Sequence, residues 1–191
     1  ANDGYLLQFV KEKNIPCYGV EPTHSTATRA RDKGIEIIED FFGDQKAVEL
    51  VKQGRQADLI VANNVLAHVP DINDFIKGFT TLLKVEGVAT FEFPHLLNLV
   101  LYNQFDTIYH EHYSYLSLTA VLRIFETNGL SVFDVEEIST HGGSLRIYAQ
   151  RNDTGKQPIS NAVNALKTQE EIVGIKTLKY YQGFQNKAEK I

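Results

Sequence analysis

The sequence predicts an α/β fold built on a doubly wound, mostly parallel sheet. Three observations lead there. Strand-like apolar runs alternate with helical patterns from Tyr5 to Pro94, two further strand-like runs lie between Ser131 and Gln150 with no helix separating them, and polar or acidic residues recur where the early strands end. Alternation calls for crossover helices and parallel strands, whereas two strands joined only by His141-Gly-Gly143 pair antiparallel at the sheet edge.

Taken in order, Leu6, Leu7, Phe9 and Val10 form a helix-spaced stripe between Tyr5 and Lys13. Pro16 to Val20 reads as a short buried strand ending in Glu21-Pro22. Ser25 or Thr26 can cap a helix that runs to Asp32 and stops at Gly34. Ile35 to Ile38 is the next strand, Asp44 to Lys52 a helix, and Ala57 to Ala62 a third strand. Asp71 or Asn73 opens a helix reaching Lys84, and Gly87 to Phe93 is a strand closed by Pro94. Leu96 to Tyr102 is a short helix, and Ser117 caps another that ends near Asn128-Gly129. The strands Ser131 to Ile138 and Ser144 to Gln150 complete residues 1–151 as the core. A polar linker follows, and from Ile159 one charged helix with Val163, Leu166, Ile172, Ile175 and Leu178 on its apolar side. Residues 152–191 are expected to lead toward a further domain. No strand precedes Asn2, so the first strand of the sheet is expected to be missing and the chain to be a fragment.

Bulk properties narrow the function classes. Of 191 residues, 43% are hydrophobic, and the formal charge of −5 argues against a broad phosphate-binding surface for nucleic acid. Cys17 is the single cysteine, which excludes an intrachain disulfide or a cysteine-cluster zinc site and fits a cytoplasmic protein. No apolar run approaches the roughly 20 residues of a membrane helix, and Ala1-Asn-Asp-Gly4 lacks the features of a signal peptide.

Two constellations point to chemistry. In the first, Asn2, Asp3 and Gly4 open a helix whose free N–H groups face a ligand, and Glu21 lies 17 residues after Gly4 at a strand end, where a carboxylate accepts from ribose hydroxyls. Asp40 and Phe41 can bracket an adenine, and Asn63 and Asn64 follow the third strand. These positions describe a nucleoside pocket without separating adenosylmethionine from a nicotinamide cofactor. In the second, Tyr109-His-Glu-His-Tyr-Ser-Tyr115 packs two imidazoles, a carboxylate and three phenols into seven residues, enough for a general base, its orienting partner and oxyanion donors. Alternatives are a polar connection with solvent-facing histidines, or a metal site, for which no third ligand is evident. His141, Ser144 and Arg146 form either an edge turn or a loop that touches substrate. His24 and His95 read as loop residues, and His68 either lines the pocket or packs.

Asn2-Asp-Gly-Tyr-Leu-Leu7, Gly19-Val-Glu-Pro22, Ala62-Asn-Asn-Val-Leu-Ala-His-Val-Pro70, Phe105-Asp-Thr-Ile-Tyr-His-Glu-His112 and His141-Gly-Gly-Ser-Leu-Arg146 resemble the S-adenosylmethionine-dependent sugar C-methyltransferases over about residues 1 to 150. The resemblance implies a Rossmann-like class I methyltransferase core, S-adenosyl-L-methionine as cofactor, and a nucleotide-linked 4-keto-deoxysugar as substrate. It implies His112 as the base, with Tyr109, Glu111 and His110 assisting. Asn2, Asp3, Gly4, Glu21, Pro22, Asp40, Phe41, Asn63 and Asn64 then serve the cofactor, and Tyr115, His141, Ser144 and Arg146 the sugar, with no metal. A nicotinamide-dependent nucleotide-sugar oxidoreductase or epimerase, and a non-catalytic nucleoside- or protein-binding module, are the competing readings. Oligomeric state, the sugar and the methylated carbon stay open.

Overall fold

The computed structural model describes residues 1–190, apart from the side chain of His141. Its elements are α1 (Tyr5–Glu12), β1 (Tyr18–Val20), α2 (His24–Asp32), β2 (Glu36–Ile38), α3 (Asp44–Lys52), β3 (Ala57–Asn63), α4 (Ile72–Leu82), β4 (Leu83–Pro94), α5 (Leu96–Leu101), α6 (Leu118–Thr127), β5 (Leu130–Ile138), β6 (Ser144–Arg151), α7 (Asn161–Val173), α8 (Leu178–Tyr181) and α9 (Phe184–Ala188).

The strands form two sheets. β1 and β2 pair in parallel, and β3-β4-β6-β5 forms a mixed sheet in which β3 and β4 are parallel and β6 is antiparallel to both β4 and β5. No hydrogen-bonded strand joins β1 to β3 among the described residues. The two sheets are instead bridged by packing, since Leu50 and Ala47 of α3 meet Tyr18, Val20 and Ile38 on one side and Ile60 on the other.

Alternation along β4 and β6 decides where the core lies. Ala89, Phe91 and Phe93 point one way, and their neighbours Ala149, Ile147 and Leu145 share that face, all buried. Helices α4 and α6 cover it with Phe75, Ile76, Phe79, Val121 and Phe125. Aromatic rings run in a chain through this core, with Phe79 to Phe91 centroids 4.5 Å apart and Phe91 to Phe125 centroids 4.8 Å apart. Gly78 of α4 meets the backbone of Gly43 so closely that a Cβ would lie 2.8 Å from the Gly43 carbonyl.

Three boundaries differ from expectation. α2 starts at His24, two residues before a Ser25 cap would place it, with Thr23 at its boundary making no side-chain cap bond and its N–H held by Glu21 Oε1 at 3.1 Å. α4 begins at an Asp71 cap and stops at Leu82, because Leu83 turns straight into β4 and Lys84 belongs to that strand. The single C-terminal helix is instead three, broken at Gly174 (φ 78°) and Gly183 (φ 87°), left-handed positions that end helices at little steric cost. Its apolar side is only partly used: Val163, Leu166 and Ile175 are buried, while Ile172 and Leu178 are at least 80% exposed. Between Leu166 and Ile175 the position that faces inward is Glu170, with no exposed surface.

Candidate active site

The aromatic and histidine-rich segment lies across the carboxyl ends of β3 and β4. Asn64 (φ 54°) ends β3, donating its N–H to Glu92 O at 2.7 Å, and sends the chain into a short 3-10 turn, Leu66–His68. The Ala67 carbonyl on that turn accepts from the N–H groups of Tyr113 and Ser114, at 2.8 and 3.3 Å. Farther on, Leu116 bridges His95 at the end of β4, and Leu96 N–H donates to Leu116 O at 3.0 Å. At the other end, Gln104 closes α5 through Leu99 O and reaches Gly142 O with its amide at 2.6 Å.

His112 is the best-held side chain in this segment. Its Nδ1 is 2.9 Å from Thr107 O, and its Nε2 is 3.0 Å from the Tyr109 hydroxyl. A carbonyl can only accept, so Nδ1 carries the proton and the neutral ring presents a lone pair at Nε2. The Tyr109 hydroxyl donates to that lone pair, and its ring lies tilted on the imidazole with centroids 4.2 Å apart. Tyr115 meets the same imidazole edge-on at 5.9 Å. His112, Tyr115, Thr107 and Ala67 line a small cleft floored by Phe93 and Leu99. Glu111 and His110 are exposed on the turn beside it.

A residue given little weight from sequence joins them. His68 Nδ1 is 3.1 Å from Glu111 O, which fixes it as a second Nδ1–H tautomer, and its ring stands edge-on to His112 with centroids 4.7 Å apart. The available signal was its place just after β3, where ligands bind in open α/β sheets.

The cofactor candidates divide. Glu21 and the Asn2 turn come together: Glu21 accepts from Asn2 N–H at 2.8 Å, with Asn2 at φ 52° and Gly4 at φ 78°. Burial pushes the Glu21 carboxyl up, but the N–H groups of Thr23 and Asn2 together with the Ala1 ammonium hold it below the usual carboxylate range. Asp3 is tied to Lys33 at 2.9 Å and Asp40 to Lys46 at 2.7 Å, so both carboxylates have cationic partners of their own. Phe41 offers a ring that is 79% exposed, and Pro22, Asn63 and Asn64 are exposed at the ends of β1 and β3.

The proposed sugar contacts also divide. Cross-strand pairing puts Asn63, Glu92, Arg146 and Glu136 in one row across the mixed sheet. Arg146 bonds the buried Glu92 at 3.0 Å, and Glu136 lies 3.4 Å away. Ser144 is fully buried and donates to Thr140 O at 3.2 Å, so it shapes the loop and presents nothing to a ligand. The His141 side chain lies outside the described residues. Among the described residues, no three His, Cys, Asp or Glu side chains gather as a metal site, and no helix is long and apolar enough to cross a membrane.

A family model described as a methyltransferase domain matches residues 1–135. The chain belongs to that family. A second model, described as a C-methyltransferase C-terminal domain, matches residues 139–191. The C-methyltransferase NovU of Streptomyces niveus is 32% identical over 191 residues, all of this chain and 45% of that protein, so the chain spans about half the relative's length. Solved structures share the fold. The magnesium protoporphyrin IX methyltransferase of Synechocystis PCC 6803, bound to SAH, matches with a TM-score of 0.59 at 16% identity over 78% of this chain and 70% of that chain. An S-adenosylmethionine-dependent methyltransferase of Mesorhizobium loti gives 0.58 at 14% identity over 78% and 87%. The doubly wound class I methyltransferase core predicted from sequence is thus the fold found.

Proposed function

We propose that the chain is the core of an S-adenosyl-L-methionine-dependent C-methyltransferase acting on a nucleotide-linked 4-keto-deoxysugar, with His112 as the base. The observation that carries this reading is the His112 tautomer: Thr107 O holds the proton on Nδ1 and leaves the Nε2 lone pair to accept from the Tyr109 hydroxyl, on a ring that lines the cleft. The name of the NovU relative supports carbon as the methyl acceptor.

The donor set suits the cofactor. The ionised Glu21 carboxylate can accept from ribose hydroxyls, the exposed Phe41 ring can stack on adenine, and the Asn63 and Asn64 amides stand at the end of β3. When bound, S-adenosylmethionine supplies an electrophilic methyl group on its sulfonium.

The ketone of the substrate acidifies the neighbouring C–H, so a positioned imidazole suffices to remove the proton. A sugar entering the cleft displaces the Tyr109 hydroxyl from Nε2. Nε2 then takes the proton, and the resulting imidazolium keeps its Nδ1–H on Thr107 O. The released Tyr109 hydroxyl becomes a donor for the enolate oxygen, with the His68 imidazole beside it. Glu111 is assigned to positioning the sugar and relaying charge, His110 to an accessory role, and Tyr115, Arg146 and His141 to contacts with the sugar. Residues 152–191, read as a linker and helices after the core, fall inside the stretch 139–191 that the C-terminal domain model matches, a stretch that also takes in β6.

Turnover of methyl-labelled cofactor with a 4-keto-6-deoxysugar nucleotide tests the proposal. His112→Ala should lower methyl transfer by about 10²–10⁴-fold with adenosylmethionine affinity retained in calorimetry. Glu21→Ala should weaken cofactor binding first. Unchanged turnover in His112→Ala, or loss of cofactor affinity with it, would overturn the base assignment.

A further inference from the structure

We propose that Glu170, carried by α7, is a positioning residue for the base-bearing segment, holding both ends of that segment through His95 and the first turn of α6. The proposal rests on the reading of His112 as base, and extends it into a part of the chain that contributes no group to the cleft.

Glu170 has no exposed surface, yet it is a carboxylate on an otherwise apolar helix face. Its Oε1 accepts from Leu118 N–H at 2.7 Å and lies 2.8 Å from His95 Nε2, while its Oε2 accepts from Thr119 N–H at 2.7 Å. The Ser117 hydroxyl accepts from Ala120 N–H at 3.1 Å. The first three N–H groups of α6 are therefore satisfied by one carboxylate and one cap, and an anion at a helix N-terminus is electrostatically favoured. Burial pushes the Glu170 carboxyl up, but the donors from His95, Thr119 and Leu118 prevail and hold it below its ordinary range. His95 Nδ1 is buried without a partner among the described residues. Nε2–H faces the carboxylate, so the ring is fixed as the Nε2–H tautomer. A proton on Nδ1 would be a buried donor without an acceptor.

These contacts fall at the two places from which the segment hangs. His95 is the last residue before α5, which leads into the segment. Leu116 to Thr119 is where the segment leaves for α6. His95 and Leu116 also bridge each other directly. Between these ends, the backbone from Phe105 to Tyr115 is tied to the turn after β3 through Ala67 O and His68 Nδ1. Its register over the cleft is thus set by its two ends together with that turn, and His112 is four residues from Leu116. Glu170 lies in the stretch matched by the C-terminal domain model, and His95, Leu118 and Thr119 in that of the methyltransferase domain. The carboxylate makes the two stretches one catalytic unit.

The test uses the full chain with Glu170→Ala, Glu170→Gln, His95→Leu and His95→Gln. Readouts are amide hydrogen exchange, cofactor affinity, and kcat against KM for the keto-sugar nucleotide. In Glu170→Ala, amides from 105 to 119 should exchange at least about tenfold faster, the scale of one lost charge-assisted hydrogen bond, while those of β1 and β2 keep their rates. The value of kcat should fall, with cofactor affinity retained. Glu170→Gln should lie between, since one amide oxygen replaces two carboxylate oxygens. His95→Gln, whose amide N–H can reach the carboxylate, should recover protection and kcat that His95→Leu loses. If Glu170→Ala does not fold, the His95 pair decides. Unchanged exchange at 105–119, loosening spread evenly over β1 and β2, or a His95→Gln no better than His95→Leu would overturn the proposal. A wild-type chain without methyl transfer, in which Glu170→Ala still frees residues 105–119, would sink the functional reading and leave the positioning role standing.

Discussion

At the scale of single residues, the chemistry turns on which nitrogen of an imidazole holds a proton. His112 and His110 are equivalent in composition, and sequence could not choose between them without the family resemblance. The fold separates them, because only His112 is half-buried with a carbonyl on one nitrogen and a phenol on the other. His68 was harder to see, since it stands far from His112 in the chain and only the turn after β3 brings the rings together. Tyr109→Phe keeps the ring on the imidazole and removes its hydroxyl. It should lower kcat by about 10²–10³-fold, the usual cost of one oxyanion donor, with KM little changed. A steady-state comparison with wild type that moves KM alone would show the hydroxyl to be a binding group.

At the scale of elements, the strands and helices through Pro94 follow from apolar periodicity, and most fall close to their expected bounds. The misses have local causes. A helix can pass into a strand without a turn, as at Leu83, and periodicity carries no mark of that junction. The C-terminal apolar stripe omitted Glu170, because a charge at a core position is read as surface until its partners are known. Close approach of backbones is equally silent in sequence. Gly78→Ala would stabilise an exposed helix by about 0.5–1 kcal/mol. Here the new Cβ meets the Gly43 backbone at 2.8 Å, so the substitution should instead destabilise by about 1–3 kcal/mol, as overpacking does. Urea unfolding of the two proteins measures the sign, and a gain in stability would mean that α3 and α4 can separate freely.

At the scale of the whole molecule, the sheet falls into two parts that touch through side chains and share no strand hydrogen bonds among the described residues. β1 and β2 have three residues each and a small cluster of their own, Ala27, Ala30, Ile35 and Ile37 with Leu7. The mixed sheet rests on the far larger core around Phe91 and Ile147. Local opening should therefore begin in the smaller part, which carries Glu21, Asp40 and Phe41. Amides of Val20 and Ile38 should exchange well before those of Phe91 and Ile147, and equal rates would show a single cooperative unit. A nucleoside held between the ends of β1, β2 and β3 would then act as mortar. At a hundred times its dissociation constant it would add about 2.7 kcal/mol to the bound state, and the slowing of exchange should be felt most in the part that opens first.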